Sequence, residues 1–370
     1  MDLEGTLRIG LVARAGRVER VRITSTRPDV ARLLLQGRRR SEIHATLPRL
    51  FSICSHSQAA AGDLACAVAA GEPASEDVLA RCRAGVSAEV VREYAWSVLL
   101  EWPRRIGEQP GGDAIVAART AQAGRSCAML PVGADAQAIA VAVFGVGAEE
   151  WLAIRSAREL DTWIDAGPTA PARFIRRVRD ETAACDGDIA HREAAVPLLQ
   201  GRDRILAMAE IWAACEADAE FARRPTWHGQ PAETGALARL QSDPLVGELT
   251  RTPAGRVFTR FVARLRELAR LLAGGELLAV GVRALPARGA AAWVENARGL
   301  LIHLVHFDDE RAARYRIVAP TEWNFHPAGA MAAALVGSPA PDPETLTSRA
   351  ARMAQSLDPC VACSVEIDDA

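Results

Sequence analysis

The chain has 370 residues, 49% of them hydrophobic, and a net charge of −2. This length allows one large domain or two with a sizeable core, and the near-neutral charge argues against nucleic-acid or anionic-membrane partners. The sequence contains neither the run of roughly 18 apolar residues that a membrane span needs nor a secretory signal. We therefore expect a cytoplasmic protein without membrane insertion, whose eight cysteines stay reduced.

The first hundred residues predict a β-hairpin followed by helices. Residues 7–12 and 20–24 alternate in character around Ala15-Gly16, as the two strands of a hairpin do. Apolar spacing then predicts helices over 29–35, from the region of Cys54 to about Ala70, and over 76–100. Residues 107–113 are polar and rich in glycine, which predicts a loop.

The remainder of the chain predicts more helices and then a small sheet. Helical patterns cover 148–179, with a break at Gly167-Pro168, 194–221 and the strongly amphipathic 255–272, whereas 224–248 is expected to be irregular. Short apolar segments predict strands over 277–282, 291–295, 300–307 and 315–318, followed by helices over 328–335 and 344–354. The expected fold is α+β and predominantly helical, with small N-terminal and C-terminal sheet elements, in a single domain over residues 1–370 whose termini meet.

Two cysteines near the C-terminus, Cys360 and Cys363, are separated by two residues and follow Asp358-Pro359. Such a pair can bind a metal, exchange disulfides or do neither. A thioredoxin-like pair should follow a strand and open a helix, whereas this one follows a helix. Zinc would need two further ligands. The nearest histidines, His303 and His306, lie three apart on a predicted strand and so point to opposite faces, and we expect each to be an ordinary sheet residue.

Other thiols and polar groups have weaker signals. Cys54 lies at a predicted helix start, where the pKa of a thiol falls, although a plain buried thiol is the alternative. Pro320-Thr321 forms a turn that either offers a hydroxyl and backbone N–H groups or is an ordinary β-turn. Arg298 lies at a break between two strands, where a solvated turn arginine is the alternative. The remaining cysteines are expected to be small buried hydrophobes: Cys66, Cys82, Cys127, Cys185 and Cys215.

Taken together, six segments in order resemble the large subunit of nickel–iron hydrogenases along nearly the whole chain. The N-terminal segment is similar to the family's Arg-Ile-Glu-Gly-His-Leu-Arg-Ile, and the C-terminal segment to its Asp-Pro-Cys-x-x-Cys. The matching segments are residues 3–9, 49–58, 233–239, 295–299, 319–324 and 356–365. The resemblance implies a large-subunit-like fold.

The departures from this family concern its metal ligands. In the family, two CxxC pairs hold the metals, and the second cysteine of each pair bridges nickel and iron. Those second positions match Cys54 and Cys363, and the first C-terminal position matches Cys360, but Phe51 stands at the first N-terminal position. Gln58 and Glu366 replace two histidines. With one nickel thiolate missing, no complete nickel–iron centre is expected.

The iron half of the family's site is better preserved. Arg298, Pro320 and Thr321 match the groups that face the two cyanides on iron, and guanidinium and hydroxyl donors suit these anionic acceptors. Thiolates are suitable soft ligands for iron. The resemblance therefore implies that an Fe(CN)2(CO) unit is held transiently on Cys54, Cys363 and Cys360.

This combination resembles the hydrogenase expression/formation proteins of the HupK/HoxV kind, which are truncated large-subunit relatives. It implies a non-enzymatic scaffold that receives the iron unit from the assembly proteins that build it and passes it to the large-subunit precursor. Two alternative classes remain. One is a metal-free protein-binding chaperone of hydrogenase assembly, and the other is an enzyme with residual redox activity or a relative of the quinone-reductase subunit that shares this ancestry. The roles of Glu4 and Glu366 stay open.

Overall fold

The computed structural model of the chain describes residues 5–51, 53–123, 129–183, 196–197, 204–251 and 255–368. These form two compact units. The first comprises Met1–Cys82, Arg192–Ala238 and Ala279–Ala370, and the second Arg83–His191 and Arg239–Leu278. No helix among the described residues is long and apolar enough to cross a membrane. The single domain over residues 1–370 stays a prediction.

The first unit contains a three-stranded sheet in the order β2-β1-β9. Strands β1 (Thr6–Arg14) and β2 (Arg17–Ser25) form the predicted hairpin around Ala15-Gly16. Strand β9 (Ala362–Asp368) pairs with β1 in parallel. The termini meet as predicted, but β9 itself was not predicted, because its residues are mostly exposed and lack the alternation of a half-buried strand.

The second sheet of this unit has four antiparallel strands in chain order, in agreement with the four predicted segments. They are β5 (Val280–Leu285), β6 (Gly289–Asn296), β7 (Gly299–Asp308) and β8 (Arg311–Val318). Helix α2 (Ser55–Ala69) packs on β5, β6 and β7, and α10 (Arg204–Ala217) packs on β5 and β6. Every residue of β6 is buried, including the polar Glu295 and Asn296 that follow its apolar stretch.

Shorter elements complete the first unit. The predicted turn at 319–324 is instead a one-turn helix, because Pro320 at its first position is preset for helical geometry. Of the helix predicted over 194–221, α10 is helical, residues 196–197 form a strand instead, and Phe221 begins a 3-10 turn, whereas residues 194–195 and 198–203 lie outside the described part. The further elements are a π-helical turn (Ala31–Leu35), α1 (Arg40–Leu50), β3 (Val196–Pro197), a 3-10 turn (Phe221–Arg223), β4 (Ala232–Glu233), α14 (Pro320–Asn324), α15 (Ala330–Leu335) and α16 (Pro343–Leu357).

The second unit is helical, and most of α3 (Glu76–Trp96) belongs to it. Helix α13 (Gly255–Leu272) packs against α6, α7, α9 and α12. Trp102 stacks on Phe174 with ring centroids 4.6 Å apart. The other helical segments are Ser97–Glu101 (π), α4 (Trp102–Arg105), α5 (Gly112–Ala123), α6 (Gly133–Phe144), α7 (Ala148–Leu152), α8 (Ala157–Ala166), α9 (Ala170–Ala183) and α12 (Pro244–Leu249). Helix α11 (Ala236–Arg239) belongs to the first unit except for Arg239.

Helix α13 is buried on more than its apolar face. Its sequence predicted a strongly amphipathic helix, and four of its charged residues are buried as well, namely Arg260, Arg264, Arg266 and Glu267. Arg266 Nη2 donates to Asp243 at 3.1 Å, and Glu267 Oε1 accepts from Arg239 Nε at 2.7 Å. Buried charges are tolerated when they are paired in this way. The stretch 224–248, which was expected to be irregular, contains all of α11 and most of α12.

The scattered cysteines largely follow the prediction. Cys66 and Cys215 are buried, and burial raises the pKa of each thiol to about 12. Cys82 is half-buried. Cys127, Cys185 and Glu4 lie outside the described residues. The thiols of Cys66 and Cys215 are therefore unreactive at neutral pH while the first unit is folded.

Candidate functional site

Five of the six residues singled out from the sequence line one small cavity in the first unit. They are Cys54, Arg298, Pro320, Thr321 and Cys360. The cavity volume is about 50 Å³. A water molecule needs roughly 10–15 Å³ by the same measure, so there is room for a few small groups and not for an organic cofactor. Leu50, Phe51 and Ile53 supply an apolar wall, in which Phe51 stands where the resemblance implies a missing cysteine.

Cys54 occupies the N-cap position of α2 and is only 9% exposed. Gln58, one turn into the helix, points its amide at the sulfur, with 3.9 Å between Nε2 and Sγ. Residues four apart on a helix lie on the same face. Gln58 therefore supports the thiol from the position at which the family pattern has a histidine.

Gln58 is itself held by a buried hydrogen-bond chain that ends on the four-stranded sheet. Its Oε1 lies 2.8 Å from His303 Nε2, and His303 Nδ1 lies 2.8 Å from the Tyr315 hydroxyl. Because the amide nitrogen donates toward Cys54, the amide oxygen accepts from His303, which leaves Nδ1 to accept from Tyr315. Burial lowers the pKa of His303 to about 3, so the ring is neutral.

The two histidines on β7 differ as predicted for residues three apart on a strand. His303 is fully buried and satisfied at both ring nitrogens, whereas His306 is half-buried. Among the described residues, no group of three His, Cys, Asp or Glu side chains is arranged to hold a metal ion. His303 therefore acts as a support for Gln58 and not as a ligand.

Cys360 is anchored by Thr321. The Thr321 hydroxyl donates to Cys360 Sγ at 3.1 Å, and the Cys360 backbone N–H reaches Thr321 Oγ1 at 3.4 Å. Helix α14 presents the hydroxyl because Pro320 fixes the start of that turn. The proline–threonine pair thus positions one thiol of the cavity.

Arg298 is positioned by three segments that the resemblance singled out separately. Asn324 Oδ1 accepts from Thr234 N–H at 2.9 Å, and Asn324 Nδ2 donates to Arg298 O at 3.2 Å. Gly235 has φ +117°, and a Cβ there would lie 3.2 Å from Arg298 O. Gly299 has φ +131° and abuts Gly235 and Thr234. These contacts place Arg298 in the cavity wall.

A second arginine in the cavity wall, Arg27, was not predicted. Its Nη1 lies 3.3 Å from Glu322 Oε1, and both side chains are largely buried. Arg27 follows the hairpin and belongs to no recognisable sequence motif. Glu322 lies in the 319–324 segment, but no pattern in that segment indicates a role for its carboxylate. Only the folded chain brings them together.

Cys363 is not among the residues that line the cavity. It lies on β9 opposite Leu7 and is exposed, although desolvation by neighbouring groups still raises the pKa of its thiol to about 11. Glu366, further along β9, is exposed and accepts from the Ser364 hydroxyl at 3.4 Å. The structure therefore brings Cys54 and Cys360 to one cavity and leaves Cys363 beside it, and the ligand roles of all three thiols stay predictions.

Comparison with known proteins places this site in a family. The family model of nickel-dependent hydrogenases matches residues 278–366. The hydrogenase expression/formation protein HoxV of Cupriavidus necator is 30% identical, over 93% of this chain and 92% of its own. The chain belongs to the HoxV/HupK family. HupK of Rhizobium leguminosarum bv. viciae is 29% identical over 99% of this chain and 97% of its own.

Solved structures define the fold of this HoxV/HupK family member. The nickel–iron–selenium hydrogenase of D. vulgaris Hildenborough superposes with a TM-score of 0.58 at 16% identity, covering 94% of both chains. The corresponding enzyme of Desulfomicrobium baculatum gives 0.54 at 14% identity, covering 95% of both chains. The predicted hydrogenase large-subunit-like α+β fold is confirmed.

Proposed function

We propose that this HoxV/HupK family member is an accessory maturation protein of nickel–iron hydrogenase that transiently holds an Fe(CN)2(CO) unit. It would work in the cytoplasm, take the unit from the assembly proteins that build it, and pass it to the large-subunit precursor. The observation that carries the proposal is the cavity itself. Two thiols, Cys54 and Cys360, share one small space with the guanidinium of Arg298 and the hydroxyl of Thr321.

The chemistry of these groups suits such a cargo. As two Fe–S bonds form, two thiols lose their protons to solvent, and handover exchanges the thiolates without changing the oxidation state of iron. Guanidinium and hydroxyl donors suit anionic cyanide nitrogens. The proposal includes Cys363 as a ligand, which requires the turn from Cys360 to β9 to rearrange when iron binds. No catalytic activity is assigned to the protein.

Infrared spectroscopy tests this proposal directly. Protein purified from a host that makes hydrogenase is expected to show bands of bound cyanide and carbonyl. Cys54→Ala should lose these bands, because it removes a ligand at the cavity, whereas Cys66→Ala, which removes a buried thiol elsewhere in the first unit, should keep them. Parallel Cys360→Ala and Cys363→Ala variants identify the second iron ligand. Iron-free wild-type protein without the bands contradicts the proposal.

A metal-free chaperone of hydrogenase assembly is the second candidate. It is favoured by the position of Cys363 outside the cavity and by the lack of a three-ligand group among the described residues. Genetic complementation separates the two candidates. The iron scaffold predicts that Cys54→Ser abolishes hydrogenase maturation, and a variant with serine at positions 54, 360 and 363 that still supports maturation would favour the chaperone.

A further inference from the structure

Arg27 occupies the cavity wall together with both thiols. Its side chain is only 16% exposed and pairs with Glu322 at 3.3 Å. Burial by itself lowers the pKa of Arg27, but the negative charges of Cys360, Glu322 and Cys54 outweigh it and raise that pKa. The guanidinium therefore lies within electrostatic reach of both cavity sulfurs.

The backbone holds Arg27 in place without any ligand. Gly5, with φ +67°, packs so closely that a Cβ there would lie 2.6 Å from Arg27 Cα. On the preceding residue, the Thr26 backbone N–H donates to Thr6 O at 2.9 Å. Pro28 follows and restricts Arg27 to extended conformations. The conformational entropy that Arg27 would lose on binding a ligand is therefore small.

The charge of the cavity lining is one-sided. The residues that line the cavity include two arginines, Arg27 and Arg298, and no carboxylate. Glu322 contacts Arg27, and Asp358 Oδ2 lies 4.0 Å from Arg298 Nε, but neither carboxylate is part of the lining. A small cavity thus has two guanidinium groups in its wall, while the carboxylates paired with them lie outside its lining, and partial burial of the arginines strengthens their attraction for an anion.

We propose that this cavity is a binding site for compact anions of a few atoms, in which Arg27 is a binding residue alongside Arg298, and Glu322 moderates its charge. The inference deepens the proposed function, since an iron unit with two anionic cyanides would meet two guanidinium groups. It does not require iron, because the two arginines line the cavity of the protein by itself.

Alkylation of the iron-free protein tests the inference. Iodoacetate and iodoacetamide react with the same thiolate, so the ratio of their rates cancels any change in thiol pKa and reports only the attraction of the anionic reagent. At Cys54 and Cys360, read by mass spectrometry, Arg27→Gln should lower the iodoacetate-to-iodoacetamide ratio roughly fivefold, the effect of one unit charge about 4 Å away in a water-like dielectric. Arg27→Lys should retain most of the ratio.

Controls come from the same chain. Arg22→Gln makes the same change at an exposed arginine on β2 and should leave the ratio unchanged. The exposed Cys363 serves as an internal reference in every sample. Glu322→Gln frees the Arg27 charge and should raise the ratio at Cys54 and Cys360.

Two results would overturn the anion site. One is an iodoacetate-to-iodoacetamide ratio that is unchanged at both cavity thiols in Arg27→Gln. The other is a ratio that does not rise in Glu322→Gln, and this second variant keeps the inference testable if Arg27→Gln misfolds. Neither measurement involves iron. The anion site and the iron scaffold can therefore fail independently.

Discussion

Gly299→Ala is expected to lower the free energy of unfolding of the first unit by about 3 kcal/mol or more, through backbone strain and overpacking together. Gly299 has φ +131°, a region that residues with a side chain rarely adopt. A Cβ there would also overlap Thr234 Cγ2 and lie 2.6 Å from Thr234 Oγ1 and 2.8 Å from Gly235 N. Backbone atoms cannot move aside as a flexible side chain can.

The buried thiols of Cys66 and Cys215 supply the measurement. Both lie in the first unit and react only when it opens, so their labelling as a function of urea reports its stability. Gly16→Ala is the matched control, because Gly16 has φ +73° but no atom within 4 Å of the added carbon, and should cost only about 1–2 kcal/mol. Equal effects of the two substitutions would contradict the close packing around Arg298.

His303→Leu is the second substitution with a large expected effect, a loss of about 2–6 kcal/mol. It leaves the Gln58 amide oxygen and the Tyr315 hydroxyl buried without their partner, and each such group costs about 1–3 kcal/mol. His306→Leu makes the same change at a half-buried position on the same strand and should cost less than about 1 kcal/mol. Urea midpoints from Cys66 and Cys215 labelling measure both, and similar losses would contradict the hydrogen-bond chain.

His303 also predicts a dependence of stability on pH. Its pKa is about 3 in the folded protein and near 6.5 in the unfolded chain, so between these values the unfolded chain binds a proton that the folded protein does not. Stability should therefore fall as the pH drops below about 6.5, by up to about 1.4 kcal/mol per pH unit from this group. Urea midpoints between pH 5 and 7 should show this slope in the wild type, and a smaller one in His303→Leu.

Periodicity and motifs predicted much of the fold because they act locally. The hairpin, the four-stranded sheet and the helix start at Cys54 each follow from patterns within a dozen residues. Helices α5 and α6 were not predicted, since their alanine-rich sequences show no clear apolar face. Strand β9 was not predicted either, because it is an exposed edge strand whose partner lies at the other end of the sequence.

The candidate site likewise contains residues that the sequence pointed to and residues that only distant contacts bring in. Cys54, Arg298, Thr321 and Cys360 belong to segments that the resemblance to the hydrogenase large subunit picked out. Arg27 enters the site only through packing against Gly5 and pairing with Glu322, contacts that no local pattern encodes. The spacing of Cys360 and Cys363 suggested a joint role, but pairing with β1 carries the second thiol away from the cavity.

The parallel pairing of β1 with β9 has a consequence for the order of folding. Contacts between segments so far apart in sequence form slowly, because the intervening chain must close a long loop. Cys360 lies two residues before β9, whose partner β1 is at the other end of the sequence, and Cys54 is supported through Gln58 by His303, 245 residues after Gln58. We expect the cavity to be completed late in folding, so a partly folded chain would have no competent site, and under the proposed function only fully folded molecules could hold the iron unit.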